Sequence, residues 1–108
     1  MSIYQIISGI EIQPGVFLPA RYSHFPGEEA VQPPFLVYLG AGQDQFEADD
    51  TIYWKRNLYT VEYYFEQKDE TVEDKIEEAL LAGGYQYDKS DDTFIDSEGL
   101  FVIYYYLQ

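Results

Sequence analysis

Residues whose chemistry could support catalysis are few in this 108-residue chain. His24 is the only histidine, and there is no cysteine. His24 stands beside Phe25 and Pro26 with no neighbouring nucleophile or metal ligand, so we interpret it as structural or solvated. The sequence contains no phosphate-binding loop, dinucleotide-binding fingerprint or nucleophile elbow. We therefore expect neither enzymatic activity nor a bound cofactor.

Carboxylates are numerous, but their spacing does not predict a metal site. Two adjacent pairs, Asp49-Asp50 and Asp91-Asp92, could contribute ligands to Ca²⁺, which takes six to eight oxygens. Neither pair has the spacing of an EF-hand loop, so both are expected to be solvated loop acids. A glycosidase needs a sugar cleft beside its carboxylate pair, and so short a chain has little material for one.

The composition favours contact with other proteins. Twenty acidic and six basic residues give a net charge of −14, and 19% of the residues are aromatic, including 12 tyrosines. Proteins that bind nucleic acid directly carry basic patches, so direct phosphate binding is not expected. Tyrosine joins a large apolar ring to a polar tip and is common in protein interfaces.

The length predicts one domain spanning residues 1–108. Apolar residues make up 46%, which is too many for a disordered chain. The absence of cysteine fits a reducing compartment. The N-terminus lacks the pattern of a signal peptide, and no apolar run is long enough for a membrane helix. We expect a soluble protein made in the cytoplasm.

The pattern of apolar residues predicts two helices. Ser2 can cap a short helix over residues 3–8, with Gly9 after it. Asp69 can cap an amphipathic helix over residues 70–82, which Gly83-Gly84 would end. The apolar stripes of these helices are formed by Ile3, Ile6, Ile7 and Ile10, and by Val72, Ile76, Ala79 and Leu80.

The remaining apolar segments predict strands. Residues 58–66 alternate between apolar and polar side chains, as in a half-buried strand. Residues 100–107 form an unbroken apolar run, which predicts a central strand with both faces covered. Shorter strands are expected at residues 17–22, 35–39, 85–88 and 93–96, the first of them at a sheet edge.

Between the strands at residues 35–39 and 58–66, residues 40–45 are expected to form a loop, residues 46–54 an extended arm and residues 55–57 a turn.

Strands clustered in blocks indicate an α+β fold rather than a βαβ repeat. The prediction is a small, mostly antiparallel β-sheet packed by the two helices, with a projecting β-hairpin arm at about residues 40–54. The middle of the arm is too polar to belong to the core. Trp54-Lys55-Arg56, the one basic cluster, either anchors a partner or packs its own tryptophan at a strand end.

A series of short motifs resembles a known family. The series is Pro33-Pro34-Phe35-Leu36-Val37-Tyr38, Phe46-Glu47-Ala48-Asp49-Asp50, Ile52-Tyr53, Tyr59-Thr60-Val61-Glu62-Tyr63-Tyr64, Lys68-Asp69, Glu73-Asp74-Lys75-Ile76-Glu77, Leu80, Tyr87 and Ser97-Glu98-Gly99-Leu100-Phe101. In order and spacing it resembles the small tail completion proteins (tail terminators, or tail-to-head joining proteins) of long-tailed phages and prophages of Gram-positive bacteria. The match runs from residue 33 to residue 105. The N-terminal third is similar only in its short helix and its Leu18–Tyr22 strand.

The resemblance implies a structural role in the virion, at the neck of the tail. Such proteins form a hexameric ring that caps the tail tube and docks to the head connector, with DNA passing through the lumen. The implied partners are copies of the same chain, the tail tube protein and head completion or connector proteins, with DNA as non-specific cargo and no membrane. The family offers no catalytic residues to carry over.

On this interpretation two groups of residues are candidates for function. An acidic lumen would let DNA slide without adhering, because like charge gives no counterion-release affinity. The expected subunit or partner contacts are Phe46, Tyr53, Trp54, Arg56, Tyr64 and Tyr106. The acids expected to line the lumen or meet a basic partner are Asp44, Asp49 and Asp50.

A second interpretation fits the size and charge equally well. The chain could be an acidic DNA mimic that inhibits a host nucleic-acid-binding enzyme. That function predicts a monomer or dimer with acids spaced like phosphates and with salt-sensitive binding to a basic protein.

Overall fold

A computed structural model of the chain describes residues 1–27, 30–48 and 51–108, and of residues 47, 48, 52 and 53 it describes the backbone alone. The predicted α+β fold with two helices and a mostly antiparallel sheet is confirmed. The elements are α1 (Ile3–Ser8), β1 (Glu11–Gln13), β2 (Val16–Phe17), β3 (Ala20–Tyr22), β4 (Phe35–Ala48), β5 (Thr51–Phe65), α2 (Glu70–Ala82), β6 (Tyr87–Lys89), β7 (Thr93–Ile95) and β8 (Leu100–Leu107).

Both helices have the bounds predicted from their caps. Ser2 Oγ accepts a hydrogen bond from the Gln5 backbone N–H at 3.2 Å, and the Gln5 side chain accepts one from the Ser2 N–H at 2.8 Å. This capping box satisfies two donors at the start of α1. Asp69 Oδ1 accepts from the Thr71 N–H at 3.0 Å at the start of α2. After α2, Gly84 adopts a φ of 89°, which glycine tolerates best.

The main sheet has six strands in the order β3-β4-β5-β8-β6, with β7 also paired to β8. β3 runs parallel to β4, and the other pairs in this sheet are antiparallel. β1 and β2 form a separate two-stranded hairpin. β8 therefore has neighbours on both sides, as its unbroken apolar sequence predicted.

Both helices pack against one face of the main sheet. The apolar stripes of α1 and α2 meet alternate residues of β5 and β8, and this contact forms a single core. Successive strand residues point to opposite faces, so the remaining residues of β5 and β8 face away from the helices. The core residues with the smallest exposure are Ile7, Leu18, Leu36, Val61, Tyr63, Ile76, Leu80, Ile103 and Tyr105.

The long hairpin of β4 and β5 corrects two predictions. Residues 40–45 are part of β4 and not a loop, and residues 55–57 are part of β5 and not a turn. Asp44 pairs with Arg56 and Gln45 pairs with Lys55 across the two strands. Most residues of this exposed two-stranded ribbon are polar, so its composition resembles that of a turn although its backbone is extended. The register shift between Gly40 and Gln43 sets the ribbon apart from the sheet.

Three shorter strands also differ from their predicted bounds. The strand predicted at residues 17–22 is divided into β2 and β3 by Leu18-Pro19. β6 begins at Tyr87, two residues later than predicted, and β7 ends at Ile95, one residue earlier. Strand ends are set by pairing with neighbours, which residue type indicates only weakly.

The paired residues 43–48 and 51–57 extend beyond the rest of the sheet, and we call them the arm; residues 49 and 50 lie outside the described residues. β3 pairs with β4 only at residues 36–38, and β8 pairs with β5 only at residues 60–65. The described residues measure 50 × 32 × 29 Å with a radius of gyration of 15.2 Å. A compact domain of this length would have about 13 Å, which is consistent with the projecting arm that was predicted.

Neighbouring leucines of α2 provide a test of this packing. Leu80 is fully buried in the core, whereas Leu81 is 55% exposed. Leu80→Ala should lower the free energy of unfolding by about 2–5 kcal/mol, because it removes buried methyl groups and leaves a cavity. Leu81→Ala should change it by less than about 0.5 kcal/mol. Urea unfolding of both variants measures the difference, and equal effects would show that α2 packs through another face.

Candidate functional site

The residues whose chemistry was considered in the sequence lie apart in the structure. His24 is exposed, and its Nδ1 lies 3.2 Å from the Oγ of Ser23. Asp92 forms an ion pair with Lys68, and Asp49-Asp50 lie outside the described residues. Within residues 1–27, 30–48 and 51–108, no cluster of three or more potential ligands could hold a metal ion. In the same part of the chain, neither helix has the length and apolarity needed to span a bilayer.

Three of the predicted contact residues and one of the predicted acids lie on one side of the arm. Residues paired across a ribbon share a face, and successive pairs alternate between its two faces. Gln43 Nε2 donates to Asn57 Oδ1 at 3.1 Å, which confirms a shared face for that pair. One face carries Asp44 with Arg56 and Phe46 with Trp54, and the other carries Gln43 with Asn57 and Gln45 with Lys55.

The arm exposes an aromatic pair. Phe46 is 61% exposed and Trp54 is 48% exposed, and the two residues lie directly opposite each other. Of the two interpretations of Trp54, packing at a strand end would have buried the indole. Exposed large aromatic side chains that lie together mark interaction sites more often than isolated ones do. The arm therefore offers an apolar contact surface beyond the core.

Arg56 holds the arm against the body of the protein. Its guanidinium lies 4.0 Å from the centre of the Tyr85 ring and donates a hydrogen bond to the Gly84 carbonyl. Tyr85 follows α2, so this contact joins the base of the arm to the end of the helix. The sequence suggested a partner contact for Arg56, whereas the structure gives its guanidinium a contact within the chain.

Tyr64 and Tyr106, predicted to make contacts as well, lie away from the arm on a second surface. We call it the helix-free face, because the helices pack on the other side of the sheet. Its members alternate with the core residues of β4, β5 and β8: Phe35, Val37, Leu39, Thr60, Glu62, Tyr64, Leu100, Val102, Tyr104 and Tyr106. The side chain of Tyr53, the last predicted contact, lies outside what the structure describes.

Part of the helix-free face is covered by the loop after β3. Phe25 packs edge-to-face on Phe35 with ring centroids 5.2 Å apart, and Phe35 stacks on Tyr64 at the same distance. Val37 and Val102 are buried on this side. Farther along the sheet, Tyr106 is 46% exposed, so the cover does not reach the far end of β8.

Two residues of the helix-free face, Glu62 and Tyr104, were not among the predicted contacts. The Tyr64 hydroxyl donates to Glu62 Oε1 at 2.6 Å. Burial and this hydrogen bond raise the pKa of Tyr64 above its ordinary value. The alternation of residues 58–66 placed Glu62 on the outer face, but the unbroken apolar run of β8 gave no signal for which of its tyrosines face outward.

On the core side, a set of ion pairs stabilises the contact between α2 and the sheet. Glu73 is buried, with Oε2 2.8 Å from Lys68 Nζ and Oε1 2.9 Å from Lys89 Nζ. Lys89 also lies 2.8 Å from Glu77, which accepts a hydrogen bond from the Tyr105 hydroxyl at 2.8 Å. Each buried charge has an opposite charge beside it, so the charges are compensated within the fold, although within the described residues Glu73 Oε2 contacts Lys68 without accepting a hydrogen bond.

Comparison with models of known protein families found no match, and comparison with curated proteins found none either. The resemblance to tail completion proteins therefore stays a prediction from the residues.

The ion pairs give the fold a pH dependence. Burial and the hydrogen bond to Glu77 raise the pKa of Tyr105. Burial alone would lower the pKa of Lys89, but hydrogen bonds to Glu77 and Glu73 outweigh it and raise that pKa. Both groups keep their protons in the folded state at a pH near 10, where the unfolded chain releases them. Their stabilisation is present below about pH 10 and is lost as the pH rises above it.

We expect the free energy of unfolding to fall above about pH 10, by up to about 1.4 kcal/mol per pH unit for each such proton. Tyr105→Phe removes one titrating hydroxyl, so its slope should be shallower, although losing the hydrogen bond to Glu77 lowers its stability at pH 8. Urea unfolding followed by circular dichroism from pH 8 to pH 11 measures both slopes. Equal slopes would contradict the role assigned to Tyr105.

Proposed function

We propose that this protein is a structural component of the virion neck, a tail terminator that forms a ring at the end of the tail tube and joins it to the head connector. The observation that carries the proposal is the presence of two separate surfaces with exposed aromatic residues, the aromatic side of the arm and the end of the helix-free face at Tyr106. The arm can meet a neighbouring subunit, and head-to-tail contacts of this kind close into a ring when the rotation allows it. The helix-free face then remains for the tube or the connector.

The exposed aromatic residues on these two surfaces are consistent with assembly. Phe46 and Trp54 on the arm and Tyr106 on the sheet are each close to half exposed or more. Aromatic residues, tyrosine and tryptophan above all, dominate the energetics of protein interfaces. The arm projects from the body, so it can reach a neighbouring subunit or the tail tube without a change in the core.

The charge fits a passage for DNA and also opposes assembly. A ring of six subunits would carry 6 × −14 = −84. Negative charge in the lumen keeps DNA from adhering, but the same charge makes the subunits repel one another. We expect the isolated ring to need salt, or to be completed only on contact with the tube and connector. A hexamer that persists in very low salt would contradict this expectation.

The experiment on the proposal uses purified virions of the phage or prophage that encodes the chain. Mass spectrometry should detect the protein in intact particles, and deletion of its gene should give unjoined heads and tails in negative-stain images. Absence from virions together with normal particles from the deletion strain would overturn the proposal. A monomer or dimer that binds a basic host protein would support the DNA mimic instead.

The arm can be tested with matched variants. Phe46→Ser combined with Trp54→Ser should leave folding intact, because both residues lie outside the core. We expect the yield of infectious particles to fall about tenfold or more, as for the loss of a central aromatic contact. The control is Phe17→Ser, which removes a 52% exposed ring from β2. Normal infectious particles from the arm variant, or an equal loss in the control, would contradict the role of the arm.

A further inference from the structure

Glu62 lies in the middle of the helix-free face. Its strand, β5, is flanked by β4 and β8, and Glu62 lies opposite Val37 on one side and Tyr104 on the other. Along its own strand the neighbours on this face are Thr60 and Tyr64. The carboxylate is therefore surrounded by apolar and aromatic side chains, and this lowers the effective dielectric constant and strengthens its attraction for a cation.

The carboxylates on the two faces of the sheet have different partners. On the core side, Glu73 has lysine nitrogens within 3 Å of both oxygens. Within the described residues, no cationic group lies at ion-pair distance from Glu62, and its hydrogen bond comes from the neutral hydroxyl of Tyr64. Burial and the charge of Glu62 raise the pKa of Tyr104, which is consistent with a negative potential at this place.

Two tyrosine rings lie beside Glu62. Tyr104 and Tyr106 are stacked, with ring centroids 6.1 Å apart and an angle of 16° between their planes. Asp88 of β6 pairs with Tyr106 on the side away from β5, and it is exposed. Glu62 and Asp88 therefore flank the stacked rings from two sides. Aromatic faces attract cations, and a planar guanidinium can stack on a ring while its N–H groups bind a carboxylate.

Five of the six basic residues of the chain itself are engaged elsewhere, and the sixth, Lys55, is exposed on the arm. Lys68 and Lys89 pair with carboxylates, and Lys75 donates to the Ile12 carbonyl at 3.1 Å. Arg21 lies over the Phe25 ring and Arg56 over the Tyr85 ring. A second copy would bring few available cations together with its own charge of −14. Charge complementarity therefore favours a basic partner on this face.

We propose that the helix-free face binds an arginine-bearing segment of a basic protein, with Glu62 pairing to the guanidinium and Tyr104 and Tyr106 stacking on it. This contact does not depend on the chain forming a ring. It places the recognition of a basic partner on the sheet, whereas the sequence placed it on the acids of the arm.

The test measures binding of a fluorescein-labelled peptide of alternating glycine and arginine to the full-length protein by fluorescence anisotropy. A salt concentration of about 0.15 M limits long-range attraction, because the Debye length there is about 8 Å. We expect Glu62→Gln to weaken binding about tenfold, as for the loss of a charge-assisted contact. A peptide with lysine in place of arginine should bind several-fold more weakly, because the ammonium group stacks poorly.

Glu78→Gln is the matched control, because it makes the same change in charge on α2, on the opposite side of the sheet. It should change the affinity less than about twofold, since an exposed distant charge is screened. Tyr104→Ala should weaken binding as Glu62→Gln does, and the circular dichroism of each variant should match that of the parent protein.

Three outcomes would overturn the proposal. The first is equal loss of affinity in Glu62→Gln and Glu78→Gln, which would indicate general attraction to an acidic protein. The second is no measurable binding of the arginine peptide to the parent protein. The third is unchanged peptide binding in Glu62→Gln together with loss of self-association in sedimentation velocity, which would make this face a contact between copies of the chain. Failure of the virion experiment would leave the peptide result unaffected, so the two proposals are tested separately.

Discussion

The packing of both helices against one face of the sheet governs the surface chemistry of this protein. In the part of the chain that the structure describes, the main sheet has six strands and is packed by two helices, of 6 and 13 residues. The apolar stripes of both helices lie on the core side. The opposite face is left to side chains of the sheet itself and to the loop after β3. Aromatic rings such as Phe35 and Tyr64 cover each other there, because stacking hides apolar area that no helix reaches.

The distribution of ion pairs also differs between the two faces of the sheet. The carboxylates nearest the core contact are neutralised by lysines, and the arginines are held over aromatic rings. Most of the six basic residues make contacts within the chain, and the twenty acids outnumber them. A net charge of this size makes copies of the protein repel one another, so any assembly has to overcome that repulsion or supply positive charge. The proposed ring and the proposed basic partner meet this condition in different ways.

The arm extends the sheet beyond the reach of the core. β8 pairs with β5 only at residues 60–65, and β3 pairs with β4 only at residues 36–38, so neither strand supports the arm. The arm therefore depends on its own cross-strand pairs and on the contact of Arg56 with the end of α2. A free two-stranded ribbon is marginally stable in water, which gives this anchoring contact its structural importance. Residues 55–57 are polar and were therefore predicted as a turn, because the composition of a segment does not show which residues of another strand lie opposite it.

The sequence alone determined the elements whose signals are local. The caps at Ser2 and Asp69 defined both helices, and the alternation of residues 58–66 and the apolar run of residues 100–107 defined the two central strands, because each pattern reflects the geometry of one segment. Tertiary structure decided what depends on distant residues. It set the register that extends β4 and β5 into the arm, and it chose the face of the sheet that the helices cover. It thereby placed Glu62 beside Tyr104 and brought Lys89 to Glu73, because strand pairing and the packing of α2 on the sheet join residues that no sequence spacing relates.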